Sequence, residues 1–190
     1  MLSLEAIRLD SQLRCVPRRS IIIVGSVTLA LFKEMAGIEK AERYLRIDDL
    51  DLCVDEKLYA KLYRNSKPKS EILTSDNCWA QNRYRNVQTL RREHTVSKLK
   101  RPVQLDVGRN VFTWSHSAVQ SDALEFDGYS VLNPFHQLAW YEVLGRKKDD
   151  VKIKMLRELI IPIFADRPDL TLPVPFELQD LAQGVLGRAA

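Results

Sequence analysis

Three acidic residues interrupt short apolar runs typical of buried β-strands, and they constrain the fold more than any other feature of the chain. Asp49 and Asp51 stand two apart in Ile47 to Val54, which reads IDDLDLCV, and Asp106 is the single acid in PVQLDV. Side chains two apart in a strand project from the same face, roughly 6.5–7 Å apart. Because an uncompensated buried carboxylate is costly, the pattern predicts a site for divalent metal.

A glycine-serine turn follows the first apolar strand pattern of the chain. The β-branched run from Ser20 to Val24 ends at Gly25 and Ser26, and apolar residues at helical spacing follow between Val27 and Ile38. This order predicts a strand, a tight turn and a helix. Gly25 would permit close backbone approach, and Ser26 offers a hydroxyl and an N–H to a phosphate. Gly25 as a turn residue alone is the alternative.

The remaining pattern alternates short helices and strands without an internal repeat. Asn133 and Pro134 are typical of a helix start, because proline fits the first helical position. Helices are expected over residues 2–14, 56–63, from 133 onward, over 149–160 and within 172–186. Strands are expected over 83–90 and 95–99 as a hairpin before PVQLDV, and over 111–114 and 124–126.

Composition is that of one water-soluble domain. The 190 residues are 45% hydrophobic and 28% charged, which suffices for a well-buried core. No run of 18 apolar residues exists, and the N-terminal segment contains acids and lacks a signal-peptide core, so a cytoplasmic protein without membrane contact is expected. Cys15, Cys53 and Cys78 show no paired spacing, which predicts reduced thiols, with Cys53 in the core.

Positive charge is concentrated between Lys61 and Arg101. This segment holds eleven basic residues against three acidic ones, with Tyr63, Trp79 and Tyr84 interleaved. Basic and aromatic side chains together suit nucleic-acid backbones and bases. A solvated surface without a ligand remains the alternative.

The order IIIVGS, DLDLCV and VQLDV resembles the nucleotidyltransferase superfamily of the DNA polymerase beta type. Residues 131–159 resemble the helical region of abortive-infection-type toxin nucleotidyltransferases, and Arg146, Lys148 and Asp149 match its R-x-K-D turn. The resemblance implies an α/β (α+β) nucleotidyltransferase fold with a small mixed sheet flanked by helices. It implies a catalytic core over residues 1–130 and a helical C-terminal part over 131–190, packed on the same domain.

The resemblance also implies an activity. The chain would transfer NMP from an NTP such as ATP to a hydroxyl, most simply on tRNA or another RNA, with a protein hydroxyl or an aminoglycoside as other acceptors. Mg²⁺ or Mn²⁺ would be the cofactor, and an antitoxin would be a possible partner. Asp49, Asp51 and Asp106 would bind metal and carry catalysis, with Asp106 helping to deprotonate the acceptor. The nucleotide would be bound by Gly25, Ser26, Arg146 and Lys148.

Three positions depart from the family pattern. Asp48 and Glu142 stand where relatives often carry serine and lysine, and Lys152 stands where an acid is often found. These departures keep open a catalytically degenerate module that binds RNA or protein.

Other enzyme classes fit the sequence less well. A dinucleotide-binding fold is disfavoured because the turn lacks G-x-G-x-x-G. No G-x-S-x-G turn suggests an acyl hydrolase. His116 and His136 have no second ligand at metal spacing, so both are predicted to be packing or polar residues.

Overall fold

The computed structural model describes residues 4–38, 49–65, 71–73, 89–94, 103–108, 110–111 and 114–165. The helices are α1 Glu5–Leu9, α2 Ser26–Met35, α3 Glu56–Asn65, α4 His116–Gln120, α5 Pro134–Leu144, α6 Asp150–Met155 and α7 Ile161–Ala165. The strands are β1 Ile21–Val24, β2 Asp49–Val54, β3 Glu71–Leu73, β4 Thr89–His94, β5 Val103–Gly108, β6 Asn110–Val111, β7 Trp114–Ser115, β8 Leu124–Phe126 and β9 Tyr129–Val131. The predicted α/β class is confirmed.

Seven strands form one mixed sheet in the order β3-β4-β5-β2-β1-β9-β8. The pairs β2·β5 and β1·β9 are parallel, and the other neighbours are antiparallel. Strands β6 and β7 make a separate hairpin. The two acid-bearing strands, β2 and β5, are therefore adjacent in the sheet and run in the same direction.

Alternate side chains of the central strands point to opposite faces of the sheet. Leu50, Leu52 and Val54 of β2 join the main hydrophobic core with residues of α2 and α5. The intervening positions face the other side, where Cys53 joins a smaller apolar cluster. Cys53 is 1% exposed, which confirms its predicted core position. Burial raises the pKa of its thiol to about 12.

Helix ends follow local side-chain chemistry. The Asn133 side chain accepts a hydrogen bond from the Phe135 N–H, and Pro134 is the first residue of α5, as predicted. The predicted helix over 2–14 is wrong in length, because α1 ends at Leu9. The Asp10 carboxylate accepts hydrogen bonds from the backbone of Gln12 and Leu13, which stabilises a turn in place of further helix.

The predicted C-terminal end of the helix over 149–160 is also wrong. After α6 the chain continues through a π-helical turn, Leu156–Ile160, into α7. Pro162 lies inside α7, and proline both lacks an N–H and crowds the carbonyl four residues before it. The wider π turn immediately before it relieves the same steric conflict, so the helix passes the proline without ending.

The predicted hairpin over 83–90 and 95–99 lies outside the described residues except at 89–90, but its expected connection at 91–94 is wrong, because these residues belong to a strand. Strand β4 runs from Thr89 to His94, through the expected connection, and lies between β3 and β5. The predicted strand over 111–114 is instead divided between β6 and β7. The predicted strand at 124–126 is confirmed as β8, at one edge of the sheet.

Several sequence predictions lie outside the described residues. These include Asp48, Cys78, most of the basic segment from 61 to 101, and the expected tail helix within 172–186. Within the ranges that are described, no helix is long and apolar enough to cross a membrane.

Phe32 tests how α2 is held in the main core. Its side chain is fully buried and meets the Phe164 ring edge-on, with centroids 5.9 Å apart. Phe32→Ala should lower the free energy of unfolding by about 3–5 kcal/mol, because it leaves a cavity. Urea unfolding measures the loss. Leu9→Ala is the control, since Leu9 is 50% exposed and should cost less than about 0.5 kcal/mol. Equal effects would contradict this packing.

Candidate active site

The three predicted acids lie together on one face of the sheet. Asp51 is paired in register with Asp106 across β2 and β5, and Asp49 is paired with Gln104. Asp106 is buried and accepts a hydrogen bond of 3.0 Å from the Gln104 amide, whereas Asp49 and Asp51 are partly buried. The parallel pairing thus assembles a carboxylate cluster, defined here as Asp49, Asp51 and Asp106.

Asp51 is the electrostatic centre of this cluster. Burial, followed by the charges of Asp49 and Asp106, raises its pKa from 3.8 to about 8, although Arg146 and Lys152 act in the opposite direction. A carboxyl pKa of about 8 means that burial and repulsion together outweigh the attraction of the surrounding cations. The site therefore favours an added positive charge, either a proton or a metal ion.

Gly25 makes room for the Asp51 carboxylate. The glycine has φ 76° and ψ −154°, a conformation that is essentially restricted to glycine. A Cβ at this position would overlap Asp51 Oδ2 and stand 2.9 Å from Asp51 Cγ. The sequence suggested that a ligand could come close to the backbone at Gly25. In this structure the Asp51 carboxylate occupies that space.

Gln137, which the sequence analysis did not single out, holds the turn in place from α5. Its Oε1 accepts the Gly25 N–H at 3.1 Å and the Thr28 hydroxyl at 3.3 Å. The Gln137 side chain is fully buried. The Gly25 N–H is thus already bonded to the protein and is not offered to a ligand. A glutamine within a mostly apolar helical segment, Pro134–Leu144, was the signal available in the sequence.

A group of charged side chains stands beside the carboxylate cluster. The Asp149 carboxylate is completely buried and forms ion pairs with Arg146 and Lys152. The Lys152 ammonium donates to Asp149 Oδ1 at 3.0 Å and to Ser26 Oγ at 2.9 Å. Ser26, Arg146, Asp149 and Lys152 are named the cationic group below. It brings the predicted Ser26 and Arg146 together with Lys152, which was not predicted to bind a ligand.

Tyr141 lies beneath the cationic group. The Lys152 ammonium stands 5.1 Å from the centroid of its ring, within range of a cation–π attraction. Burial raises the pKa of the Tyr141 hydroxyl, and the neighbouring Ser26 hydroxyl acts in the opposite direction. The Tyr141 ring therefore lies against the Lys152 ammonium on the side that faces the protein interior.

Other residues that the sequence predicted for the site, or that depart from the family pattern, lie in different environments. Lys148 is exposed in the 3₁₀ turn Lys147–Asp149, and no hydrogen bond or ion pair connects it to the cluster among the residues described. Glu142, at a position where relatives often carry lysine, forms an ion pair with Arg157. His136 is buried against Trp114, with ring centroids 4.7 Å apart.

The donor chemistry of the carboxylate cluster suits Mg²⁺ or Mn²⁺. Both ions prefer carboxylate oxygens, and a divalent cation would offset the burial and the repulsion that raise the pKa of Asp51. Across the described part of the chain, no three His, Cys, Asp or Glu side chains are already converged as metal ligands. Metal binding by Asp49, Asp51 and Asp106 accordingly stays a prediction.

Comparisons with known proteins give one structural resemblance. No family model matches the chain, and no curated protein matches it. The crystal structure of the Megavirus polyadenylate synthase resembles it with a TM-score of 0.36 and 13% sequence identity, over 73% of this chain. The chain spans about 28% of the length of that protein. The functional assignment therefore depends on the side chains described above.

The contact between Gly25 and Asp51 predicts that replacing Gly25 with alanine destabilises the protein unusually strongly. Gly25→Ala should lower the free energy of unfolding by about 2–4 kcal/mol, because strain adds to the clash with Asp51. Gly37→Ala is the matched control, since Gly37 has φ 69° but faces open space; it should cost about 1–2 kcal/mol. Urea titrations of both variants measure the difference. Equal losses of stability in the two variants would show that the Asp51 carboxylate does not need the space left by Gly25.

The raised pKa of Asp51 predicts a pH-dependent stability. Between its unfolded pKa of 3.8 and its folded pKa of about 8, the native state holds a proton that the unfolded state has released. Stability without metal should therefore fall as pH rises through this window and level off above about pH 8. Melting temperatures in EDTA from pH 5 to 9 measure the trend. Asp51→Asn should flatten it, and an unchanged slope in that variant would refute the assignment.

Proposed function

We propose that the chain is a metal-dependent nucleotidyltransferase that moves NMP from an NTP to a hydroxyl acceptor. The observation that carries the proposal is the carboxylate cluster on two parallel neighbouring strands, next to the cationic group. The carboxylate cluster suits metal ions, and the cationic group suits phosphates. The motif order IIIVGS, DLDLCV and VQLDV supports the same reading.

In this proposal Asp49, Asp51 and Asp106 hold Mg²⁺ or Mn²⁺, which would neutralise charge on the departing pyrophosphate. Asp106 takes the proton of the acceptor hydroxyl. The acceptor oxygen then bonds to the α-phosphorus, the bond from that phosphorus to the bridging oxygen breaks, and pyrophosphate leaves. Ser26 and Arg146 bind the phosphates from the cationic group, and Lys148 approaches them from the exposed turn.

The acceptor we propose is RNA, with tRNA as the first candidate. Its support is the charge of the segment from Lys61 to Arg101, with eleven basic and three acidic residues. Phosphate neutralisation by such a segment gives strongly salt-dependent binding. A protein or small-molecule hydroxyl would not require this charge.

An α-labelled NTP assay tests the reaction. Purified protein is incubated with Mg²⁺, each NTP in turn and total cellular RNA, and label is followed into RNA and into protein. We expect label in RNA, and at least about a hundredfold less with Asp49→Asn or Asp51→Asn, because each removes a carboxylate that would hold the metal ion at the reacting phosphate. Glu125→Gln is the control, since Glu125 is exposed on β8.

The outcomes separate the enzyme from its alternatives. Label that enters protein would change the acceptor and leave the reaction class intact. RNA binding without transfer, unaffected by the aspartate variants, would favour the catalytically degenerate binding module. Transfer that persists in both aspartate variants would refute the catalytic role of the carboxylate cluster.

A further inference from the structure

Gln104 shares one face of the sheet with the carboxylate cluster. In the parallel pair of β2 and β5 it lies in register with Asp49, and Asp106 of the same strand lies in register with Asp51. Side chains two apart in a strand project from the same face. These positions therefore form a block on two neighbouring strands, in which Gln104 alone carries no ionisable group.

The surroundings of Gln104 are acidic. On its other side, β4 places Glu93 in register with it, so acidic residues occupy both cross-strand positions, Asp49 and Glu93. A glutamine amide offers two N–H donors and one acceptor oxygen and has no charge. At this place in the sheet it provides donors to carboxylates without neutralising them.

The Gln104 amide is directed at Asp106. Its Nε2 donates to Asp106 Oδ2 at 3.0 Å, and Asp106 is 8% exposed whereas Gln104 is partly buried. Rotation about χ2 of an aspartate is broad and is not confined to staggered positions, so a hydrogen bond to one oxygen decides how the carboxylate is turned. Gln104 therefore sets the direction in which the second oxygen, Oδ1, points.

A neutral donor keeps the carboxylate available to a cation. A lysine or arginine at position 104 would itself attract the neighbouring carboxylates and would compete with a metal ion for them. Carboxylates that bind metals are commonly held by hydrogen bonds from residues that do not touch the metal, and losing such a residue typically weakens metal binding about tenfold to a hundredfold. Gln104 has the chemistry and the contact of such a residue.

We propose that Gln104 is a positioning residue, whose hydrogen bond turns Asp106 so that Asp51 and Asp106 bind a divalent cation together. The inference rests on the proposed function, in which the carboxylate cluster holds Mg²⁺ or Mn²⁺. It extends that function to a residue outside the cluster, which contributes to the affinity for the metal ion without touching it.

Calorimetric titration of Mn²⁺ into the protein, without nucleotide, tests the role of Gln104. Gln104→Met is similar in length and removes both N–H donors. It changes no charge, so an effect on binding arises from the lost hydrogen bond and not from altered repulsion. We expect Mn²⁺ to bind about tenfold to a hundredfold more weakly.

Gln120→Met is the matched control. The Gln120 amide also donates to a side-chain oxygen, Ser130 Oγ at 2.8 Å, but this bond joins α4 to β9. Gln120→Met should therefore bind Mn²⁺ as the unmodified protein does.

Gln104→Lys separates positioning from a purely structural role. In EDTA this variant should melt at a higher temperature than the unmodified protein, because an ammonium offsets the repulsion within the carboxylate cluster. It should nevertheless bind Mn²⁺ more weakly, because the ammonium competes with the metal ion. A residue with only a structural role would not move stability and affinity in opposite directions.

The Mn²⁺ titrations decide the proposal. If Gln104→Met does not fold in a melting experiment, Gln104→Lys takes its place. Unweakened Mn²⁺ binding in Gln104→Met, or in Gln104→Lys where that variant decides, overturns the role of Gln104. Equal weakening in Gln120→Met overturns it as well.

The two proposals fail in different ways. Mn²⁺ binding that depends on Gln104, without any NMP transfer, would support the positioning role and count against the nucleotidyltransferase. Metal-dependent NMP transfer, with Mn²⁺ binding unchanged in Gln104→Met, would support the enzyme and overturn the positioning role. No Mn²⁺ binding by the unmodified protein would overturn both. If both hold, Gln104→Met should need a correspondingly higher Mn²⁺ concentration for transfer, and saturating Mn²⁺ should restore the rate.

Discussion

The parallel pairing of β2 with β5 is the constraint on which the site depends. It places Asp51 opposite Asp106, and like charges directly opposite each other on neighbouring strands repel. Burial and this repulsion raise the pKa of Asp51 to about 8. The turn at Gly25 gives the carboxylate its space, and Gln137 holds that turn from α5. Sheet, turn and helix are therefore fitted to one side chain.

The charges of the site are separated into two halves. The carboxylate cluster lies on the sheet, and the cationic group joins the start of α2 to the turn and helix that follow α5. Arg146 and Lys152 lower the pKa of Asp51, so the two halves of the site interact electrostatically. This separation of charge suits a ligand with a metal-bound end and a phosphate end, as the proposed reaction requires.

Local patterns in the sequence predicted the parts that depend on local physics. The strand with Asp49 and Asp51, the turn at Gly25 and the helix start at Pro134 follow from alternation, glycine and capping. The errors arose where distant contacts decide. Strand β4 was misplaced because its partners, β3 and β5, are set by the sheet, and the helix past Pro162 continues because a π turn accommodates the proline.

The sequence by itself determined the α/β class, the strand-borne acids and the excess of positive charge. Only the tertiary structure decided which side chains meet. Lys152 is 126 residues from Ser26, and Gln137 is 112 residues from Gly25, so no local spacing reports either contact. Periodicity records which face of an element is buried, whereas the partner across that face is fixed by how all the elements pack together.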